Sequence, residues 1–281
     1  MDEIFFSLDS SFRALIAQGW QVTTQDQMWR LQKGEVALFA GFNAHWVYLT
    51  APVTAQESIE DYLRRCDGLY MVKYALDADG ALILQVDLPL FELERAYLHF
   101  AVQALARAVS EHGISRARIS SISAVAETEL EYFPRHTLDT YFKALKHIGW
   151  GYRKPLGLND YHLHYKAPER PFEVYLSFNS AWAYWQIPLL DRTQLAQSGK
   201  RAALYRYLLK ANEQLYWAKF ALDGENQVVL ALEIPLSLFT LERFRQAGQT
   251  LGTYAAEYAY EVAIMADVER DESLAALLAS V

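Results

Sequence analysis

The sequence predicts an α+β protein built from two tandem copies of one unit. Two observations support this prediction: a long stretch occurs twice, and in each copy short runs of strand period alternate with runs of helical period. The clearest echo pairs KYALDADGALILQVDLPLFELER at 73–95 with KFALDGENQVVLALEIPLSLFTLER at 219–243. Each copy is predicted to be an α-βββ-α-ββ-α unit, with a mostly antiparallel five-stranded sheet and helices packed mainly on one face.

The duplication covers most of the chain. Three further pairs of blocks match: LDSSFRALIAQGW at 8–20 with LDTYFKALKHIGW at 138–150, FNAHWVY at 42–48 with FNSAWAY at 178–184, and LYMVKYALD at 69–77 with LYWAKFALD at 215–223. The offset between the copies grows along the chain, and each increase falls between matched blocks, where loops tolerate insertions. The predicted organisation is a first repeat at 1–112, a linker at 113–136, a second repeat at 137–262, and a tail at 263–281 that forms a short helix.

The first half of each unit is predicted to be a helix followed by three strands. The helix of the first copy has apolar residues at helical spacing, which are Phe5, Leu8, Phe12, Leu15 and Ile16. Gly19 stands where a C-terminal glycine would end this helix. The strands are predicted near 27–32, 35–42 and 45–51, and in the second copy near 160–166, 171–178 and 181–187. Pro52 and Pro188 close these runs at the strand end.

The second half is predicted to be a helix, a β-hairpin and a long helix. The first helix of this half carries Ile59, Tyr62, Leu63 and Cys66 on one apolar stripe in the first copy. In the hairpin, alternating apolar residues flank the turn formers DADG at 77–80 and DGEN at 223–226. Lys73 and Lys219 occupy the same place in the two hairpins. Since they alternate with apolar neighbours, they are predicted to face solvent.

Once these elements are placed, residues 208–244 resemble the signature of the YbjN and type III secretion chaperone (Tir-chaperone-like) superfamily. In those domains a middle helix ends in a Leu-Asn pair, a long apolar hairpin follows, and a Leu-Pro turn leads into the last helix. The second copy matches at Leu209, Asn212, Phe220, Asp223, Ile234 and Pro235, with the asparagine two residues later than in a strict pair. The first copy matches at Leu63, Tyr74, Asp77, Gly80, Leu88 and Pro89, with Cys66 where the asparagine is expected.

This resemblance implies a function as well as a fold. It implies a non-enzymatic, chaperone-like module that binds a protein or peptide and needs no cofactor. Type III chaperones of this shape are small acidic homodimers that hold an extended segment of a client, so the tandem chain looks like such a dimer in one polypeptide. The expected partners are a protein or peptide client, or a second copy of the chain.

Composition and charge exclude several other classes. The net charge of −8 gives no electrostatic attraction to phosphate backbones, so no nucleic-acid partner is expected. The single cysteine, Cys66, cannot form an intrachain disulfide, and its place on the apolar stripe predicts a buried filler. The acidic N-terminus is unlike a signal peptide, and no run reaches the length of a membrane span. A cytoplasmic protein without membrane association is therefore expected.

Aromatic residues give the most unusual signal. In the middle strands both faces are apolar or aromatic, although a sheet with helices on one side needs only one apolar face. The second face is therefore expected to be covered, either by the other repeat or a second chain, or by a client polypeptide or apolar ligand. The candidate partner-binding residues are Trp46, Tyr48, Tyr175, Trp182, Tyr184 and Trp185.

No catalytic constellation is visible, so no catalytic, cofactor-binding or metal-binding residues are predicted. Asp160, His162 and His164 would share one face of a strand, a spacing that metal sites use. A polar strand face is the simpler interpretation, because no second ligand cluster is visible. Two alternatives to client binding remain: a structural or regulatory pseudo-dimer without an exposed client site, and a metal-dependent enzyme that uses His162 and His164.

Overall fold

A computed structural model describes residues 2–91, 93–112, 133, 135–167, 171–197 and 200–266. It shows an α+β protein with two six-stranded antiparallel sheets, each accompanied by helices. The described residues of Met1–Val125 and Leu209–Lys219 form one compact unit, called here the first unit, and those of Ala126–Leu208 and Phe220–Val281 form the second unit. Most of the predicted linker at 113–136, and the tail beyond Ala266, lie outside the described residues.

The described residues of the first unit contain one sheet and three complete helices. The helices are α1 (Asp2–Arg13), α2 (Ile59–Gly68) and α3 (Arg95–Glu111). The strands are β1 (Gln21–Gln25), β2 (Met28–Lys33), β3 (Val36–Phe42), β4 (Trp46–Pro52), β5 (Lys73–Leu76) and β6 (Leu82–Pro89). Their order across the sheet is β1-β2-β3-β4-β6-β5, so β1 and β5 are the edges.

The second unit repeats this arrangement. Its helices are α4 (Arg135–Lys146), the short α5 (Arg192–Gln197), α6 (Arg201–Gln214) and α7 (Leu241–Met265), with the last part of α6 assigned to the first unit. Its strands are β7 (Trp150–Pro155), β8 (Asp160–Lys166), β9 (Pro171–Phe178), β10 (Trp182–Leu190), β11 (Lys219–Leu222) and β12 (Val228–Pro235). The order β11-β12-β10-β9-β8-β7 is the first sheet's order read from the other edge.

Each sheet has one strand more than the five predicted. The additional strands are β1 and β7, which follow the first helix of each repeat. Their sequences, QVTTQ and WGYRKP, lack the alternation of apolar and polar residues by which the other strands are recognised. Pairing with the next strand places them in the sheet, so the first copy is an α-ββββ-α-ββ-α unit, and the second copy has the short α5 in addition.

Several residues that recur in both copies specify turns. Gly19 and Gly149 have φ angles of 86° and 88°, a left-handed conformation that a glycine adopts without steric cost. In both hairpins the first turn residue folds its carboxylate back onto the backbone: Oδ1 of Asp77 accepts from the N–H groups of Asp79 and Ala81, and Oδ1 of Asp223 accepts from those of Glu225 and Gln227. The predicted turns at 77–80 and 223–226 are confirmed.

Helices cover one face of each sheet. In the first unit α3 packs on β3, β4 and β6, and in the second unit α7 packs on β10 and β12. Trp29 illustrates the first core, where its ring lies between Phe5 and Phe12 at centroid distances of 5.1 and 4.8 Å. The helix-covered side is called here the inner face, and the opposite side the outer face.

Candidate functional site

The side chains of strand β4 alternate between the two faces of the first sheet. Val47, Leu49 and Ala51 point inward and are fully buried, whereas Trp46 and Tyr48 point outward and are half-buried. The sequence predicted that both faces of this strand are apolar or aromatic. The structure places these two aromatic residues on the outer face.

Tyr48 is the centre of an aromatic strip on this outer face. Its ring lies across Gly41 of the neighbouring strand, and a Cβ atom at Gly41 would lie 2.5 Å from Cζ of the tyrosine. The Tyr48 hydroxyl is 3.9 Å from Sδ of Met28. Met28 is 41% exposed, and Phe39, which pairs with Thr50 of β4, is 37% exposed. These residues, with Trp46, form a shallow apolar surface that is called here the outer aromatic strip.

Trp46 lies at one end of the strip and is held by an aromatic residue from a distant part of the sequence. Its ring stacks on Tyr216 at 5.4 Å with an interplanar angle of 9°, and Trp217 lies 6.5 Å away. Nδ2 of Asn43 donates to the Tyr216 hydroxyl at 3.4 Å. Burial, together with the nearby Asp87 carboxylate, raises the pKa of Tyr216. Tyr216 and Trp217 were not predicted as site residues, because no local pattern shows which strand they will meet.

The strip borders a buried charge cluster at Lys73. The lysine is only 3% exposed, so the prediction that it faces solvent is wrong. Its ammonium group lies 2.6 Å from Oδ2 of Asp87 and donates to the carbonyls of Leu215 and, at 3.2 Å, Ala218. Burial lowers the pKa of Lys73, and the Asp87 carboxylate opposes that effect. Nε2 of Gln85 donates to the other oxygen of Asp87 at 2.8 Å.

Lys219 of the second copy donates to backbone carbonyls of the first copy, as Lys73 does to those of the second. It is 2% exposed, again against prediction, and its ammonium group donates to the carbonyls of Leu69 at 2.5 Å and Val72 at 3.4 Å. Leu69 and Val72 are the first-copy equivalents of Leu215 and Ala218, whose carbonyls accept from Lys73. Both loops also contain a left-handed residue at the same position, Met71 with φ 64° and Trp217 with φ 67°. Within the first unit, the two repeated LYxxK segments are therefore joined by a reciprocal exchange.

The residues that carried the family resemblance have structural roles in this region. Cys66 is fully buried, as predicted, and its Sγ accepts from the backbone N–H of Tyr74 at 3.2 Å. Asn212 is also fully buried, and its Nδ2 donates to the carbonyl of Tyr74 at 3.0 Å. The polar group of Asn212 therefore satisfies the backbone of strand β5 at the sheet edge.

In the second unit, one of the predicted binding residues on strand β10 proves to be a core residue. Trp182 and Tyr184 are half-buried on the outer face, at the positions equivalent to Trp46 and Tyr48. Trp185 instead points inward and is fully buried, with its ring 4.8 Å from Phe244 of α7. The strand alternation places it in the core, so it is unavailable to a partner.

Tyr175 lies on the outer face beside His162 and His164, the residues of the metal-dependent alternative. It is 38% exposed and stacks on His162 at 5.1 Å. Nε2 of His162 contacts a carboxylate oxygen of Glu173, and Nδ1 of His164 is 3.6 Å from the other oxygen of that carboxylate. The structure thus brings the two histidines together around Glu173, which was missed because it lies on the next strand. In the described part of the chain, no group of three or more His, Cys, Asp or Glu residues is arranged to hold a metal ion.

Comparison with known proteins does not assign this surface. A scan against protein-family models gave no match, and a search of curated proteins gave none either. Among the described residues, no helix is both long enough and apolar enough to cross a membrane.

Proposed function

We propose that the protein is a non-enzymatic module that binds a protein or peptide segment on the outer faces of its sheets, with the tandem repeat acting as a pseudo-dimer. The observation that carries this proposal is the outer aromatic strip. Met28 and Phe39 are exposed, and Trp46 and Tyr48 are half-buried beside them, on the outer face of the first sheet. A contiguous apolar surface of this kind favours contact with another apolar chain.

The flatness of the strip favours an extended segment as the occupant. Gly41 lets the Tyr48 ring lie close to the sheet, so the ring forms a floor instead of a projection. Aromatic side chains also contribute large contact areas at interfaces while losing few rotamers. In the second unit, Tyr175, Trp182 and Tyr184 provide a comparable surface, in which His162 and Glu173 add polar groups.

The resemblance to Tir-chaperone-like domains supports the same proposal. Each repeat contains the helices and the hairpin that the resemblance implies, in the same order along the chain.

Peptide arrays test this function directly. Overlapping peptides rich in apolar and aromatic residues would be probed with the wild-type chain and with Phe39→Ser, using Phe6→Ser as the matched control. Phe6 is 68% exposed but lies on α1, away from the strip. Wild type and F6S should bind a common set of peptides, and F39S should bind them about tenfold more weakly, the effect of losing roughly 1.4 kcal/mol of apolar contact.

Two outcomes would contradict client binding on the strip. One is that the wild-type chain binds no peptide, and the other is that F39S and F6S weaken binding equally. The first would favour a structural or regulatory pseudo-dimer without an exposed client site. The stacking of Trp46 on Tyr216 specifically supports that second candidate, because it uses aromatic surface internally.

A metal-dependent enzyme that uses His162 and His164 is a less favoured alternative. Both histidines contact the Glu173 carboxylate, which gives a compact polar cluster. Elemental analysis of untagged protein tests this alternative, which requires stoichiometric zinc or another transition metal.

A further inference from the structure

The two sheets differ in how their outermost strands are protected against pairing. At one end of each sheet, β5 and β11 are fully buried. At the other end lie β1 and β7. A strand at the edge of a sheet presents unpaired backbone groups, which can pair with another chain unless the edge is protected.

Strand β7 carries three features that protect an edge. It contains the basic residues Arg153 and Lys154, it ends in Pro155, and its pairing with β8 shifts register between Tyr152 and Lys154. Charges, a proline and a bulge each disfavour the addition of a further strand.

Strand β1 has none of these features. Gln21–Gln25 contains no charge and no proline, and its pairing with β2 is continuous over all five residues. The described residues provide no backbone hydrogen-bond partner for β1 other than β2. The side chains of Gln21, Thr23 and Gln25 are exposed. This edge is therefore open to a strand of neutral polar character.

The sequence of β1 identifies its best partner as another β1. QVTTQ is nearly the same read in either direction, so antiparallel pairing centred on Thr23 sets Gln21 opposite Gln25, and Val22 opposite Thr24. Thr–Thr pairs across antiparallel strands are favourable. Arg30 on β2 is the cross-strand partner of Thr23 in each copy. In the paired edges the two Arg30 residues are therefore three strand spacings, or about 14 Å, apart.

We propose that β1 pairs antiparallel with β1 of a second copy of this chain, about a two-fold axis at Thr23. The two sheets of the first units then become one continuous sheet of twelve strands. A two-fold contact of this kind is closed, because each copy uses the same edge. Among the strands that the structure describes, the protected edge at β7 and the buried edges at β5 and β11 offer no further site for strand addition, so the assembly stops at a dimer. This inference goes beyond the proposed function, which uses the sheet faces.

Disulfide trapping tests the register. In the proposed dimer Thr23 lies opposite Thr23 of the second copy, with Cα atoms about 4.5–5.5 Å apart, within the range of a disulfide. Thr23→Cys should therefore form a reducible covalent dimer under mild oxidation. The two copies of Gln21 are about 14 Å apart, so the control Gln21→Cys should remain uncrosslinked. The native Cys66 is buried and contributes no background.

Sedimentation tests the edge without a crosslink. The wild-type chain should dimerise with rising concentration, whereas Thr23→Lys places like charges opposite each other and should be monomeric. The control Gln32→Lys adds the same charge one strand inward, where the two copies are well separated, and should still dimerise. Circular dichroism checks that each variant folds. If T23K does not fold, the comparison of T23C with Q21C tests the proposal.

Four results would overturn the proposal. The wild-type chain could remain monomeric at all concentrations, T23K could dimerise like wild type, or Q21C could crosslink as readily as T23C. A chain that crosslinks through T23C only to an added peptide would also overturn it, because the edge would then take a client strand instead of a second copy.

Discussion

Lys73 shows how much a single residue can depend on distant sequence. Strand alternation predicts that Lys73 lies on the opposite face of the sheet from its apolar neighbours. It does not predict that this face is itself covered. The cover comes from Leu215 and Ala218, whose carbonyls accept from its ammonium group after more than a hundred intervening residues. An ammonium group close to the carbonyl end of a helix also gains from the helix dipole, and Leu215 directly follows α6.

Removing this ammonium group should be costly. Lys73→Met leaves Asp87 buried without its counter-charge, and breaking such a pair costs about 3 kcal/mol. We expect a correspondingly lower urea midpoint at neutral pH. Lys73→Met combined with Asp87→Asn should recover part of this loss, because the remaining group is neutral and Gln85 can still bond to it.

The exposed Lys143 provides the matched control for that series. Lys143→Met should change the free energy of unfolding by less than about 0.5 kcal/mol. If K73M were as stable as K143M, the buried ion pair would have no role in holding the first unit together.

Among the elements, β4 and β10 show what periodicity predicts and what it leaves open. The alternation of these strands was visible in the sequence, and four of the candidate residues, Trp46, Tyr48, Trp182 and Tyr184, do lie on the outer faces. Trp185 was included wrongly, because two aromatic faces look alike until a helix is known to pack on one of them. Strands β1 and β7 were missed because short strands without alternation are recognised only through their pairing partners.

Gly41 is the residue on which the shape of the outer aromatic strip depends. Alanine at this position would overlap the Tyr48 ring and force it away from the sheet. Gly41→Ala should therefore lower the free energy of unfolding by about 1–3 kcal/mol, the usual cost of overpacking, and change the near-ultraviolet circular dichroism.

Gly224→Ala is the control for that substitution. A Cβ atom at Gly224 meets no atom within 4 Å, so this variant should be close to wild type in both measurements. An unchanged tyrosine signal in G41A would show that the ring does not lie over the glycine.

At the scale of the whole molecule, the duplication was predictable because the same blocks of sequence occur twice. Matched blocks predicted the hairpins and the turns, and the structure has two similar α+β units. The sequence did not predict that residues 209–219 join the first unit, because that assignment depends on contacts with β4 and β5. The aromatic surface could be suspected from composition, but its exposed part required the structure.

The central claim is that a client segment lies on the outer sheet faces and not in the cores. Labelling with 5-fluorotryptophan places a fluorine probe at each of the seven tryptophans, which single Trp→Phe variants assign. Trp46 and Trp182 are half-buried on outer faces, whereas Trp29 and Trp185 are almost completely buried. Titration with the tightest-binding array peptide should shift or broaden the signals of Trp46, Trp182 or both, and leave those of Trp29 and Trp185 in place. Saturable binding that leaves both Trp46 and Trp182 unchanged would contradict the account.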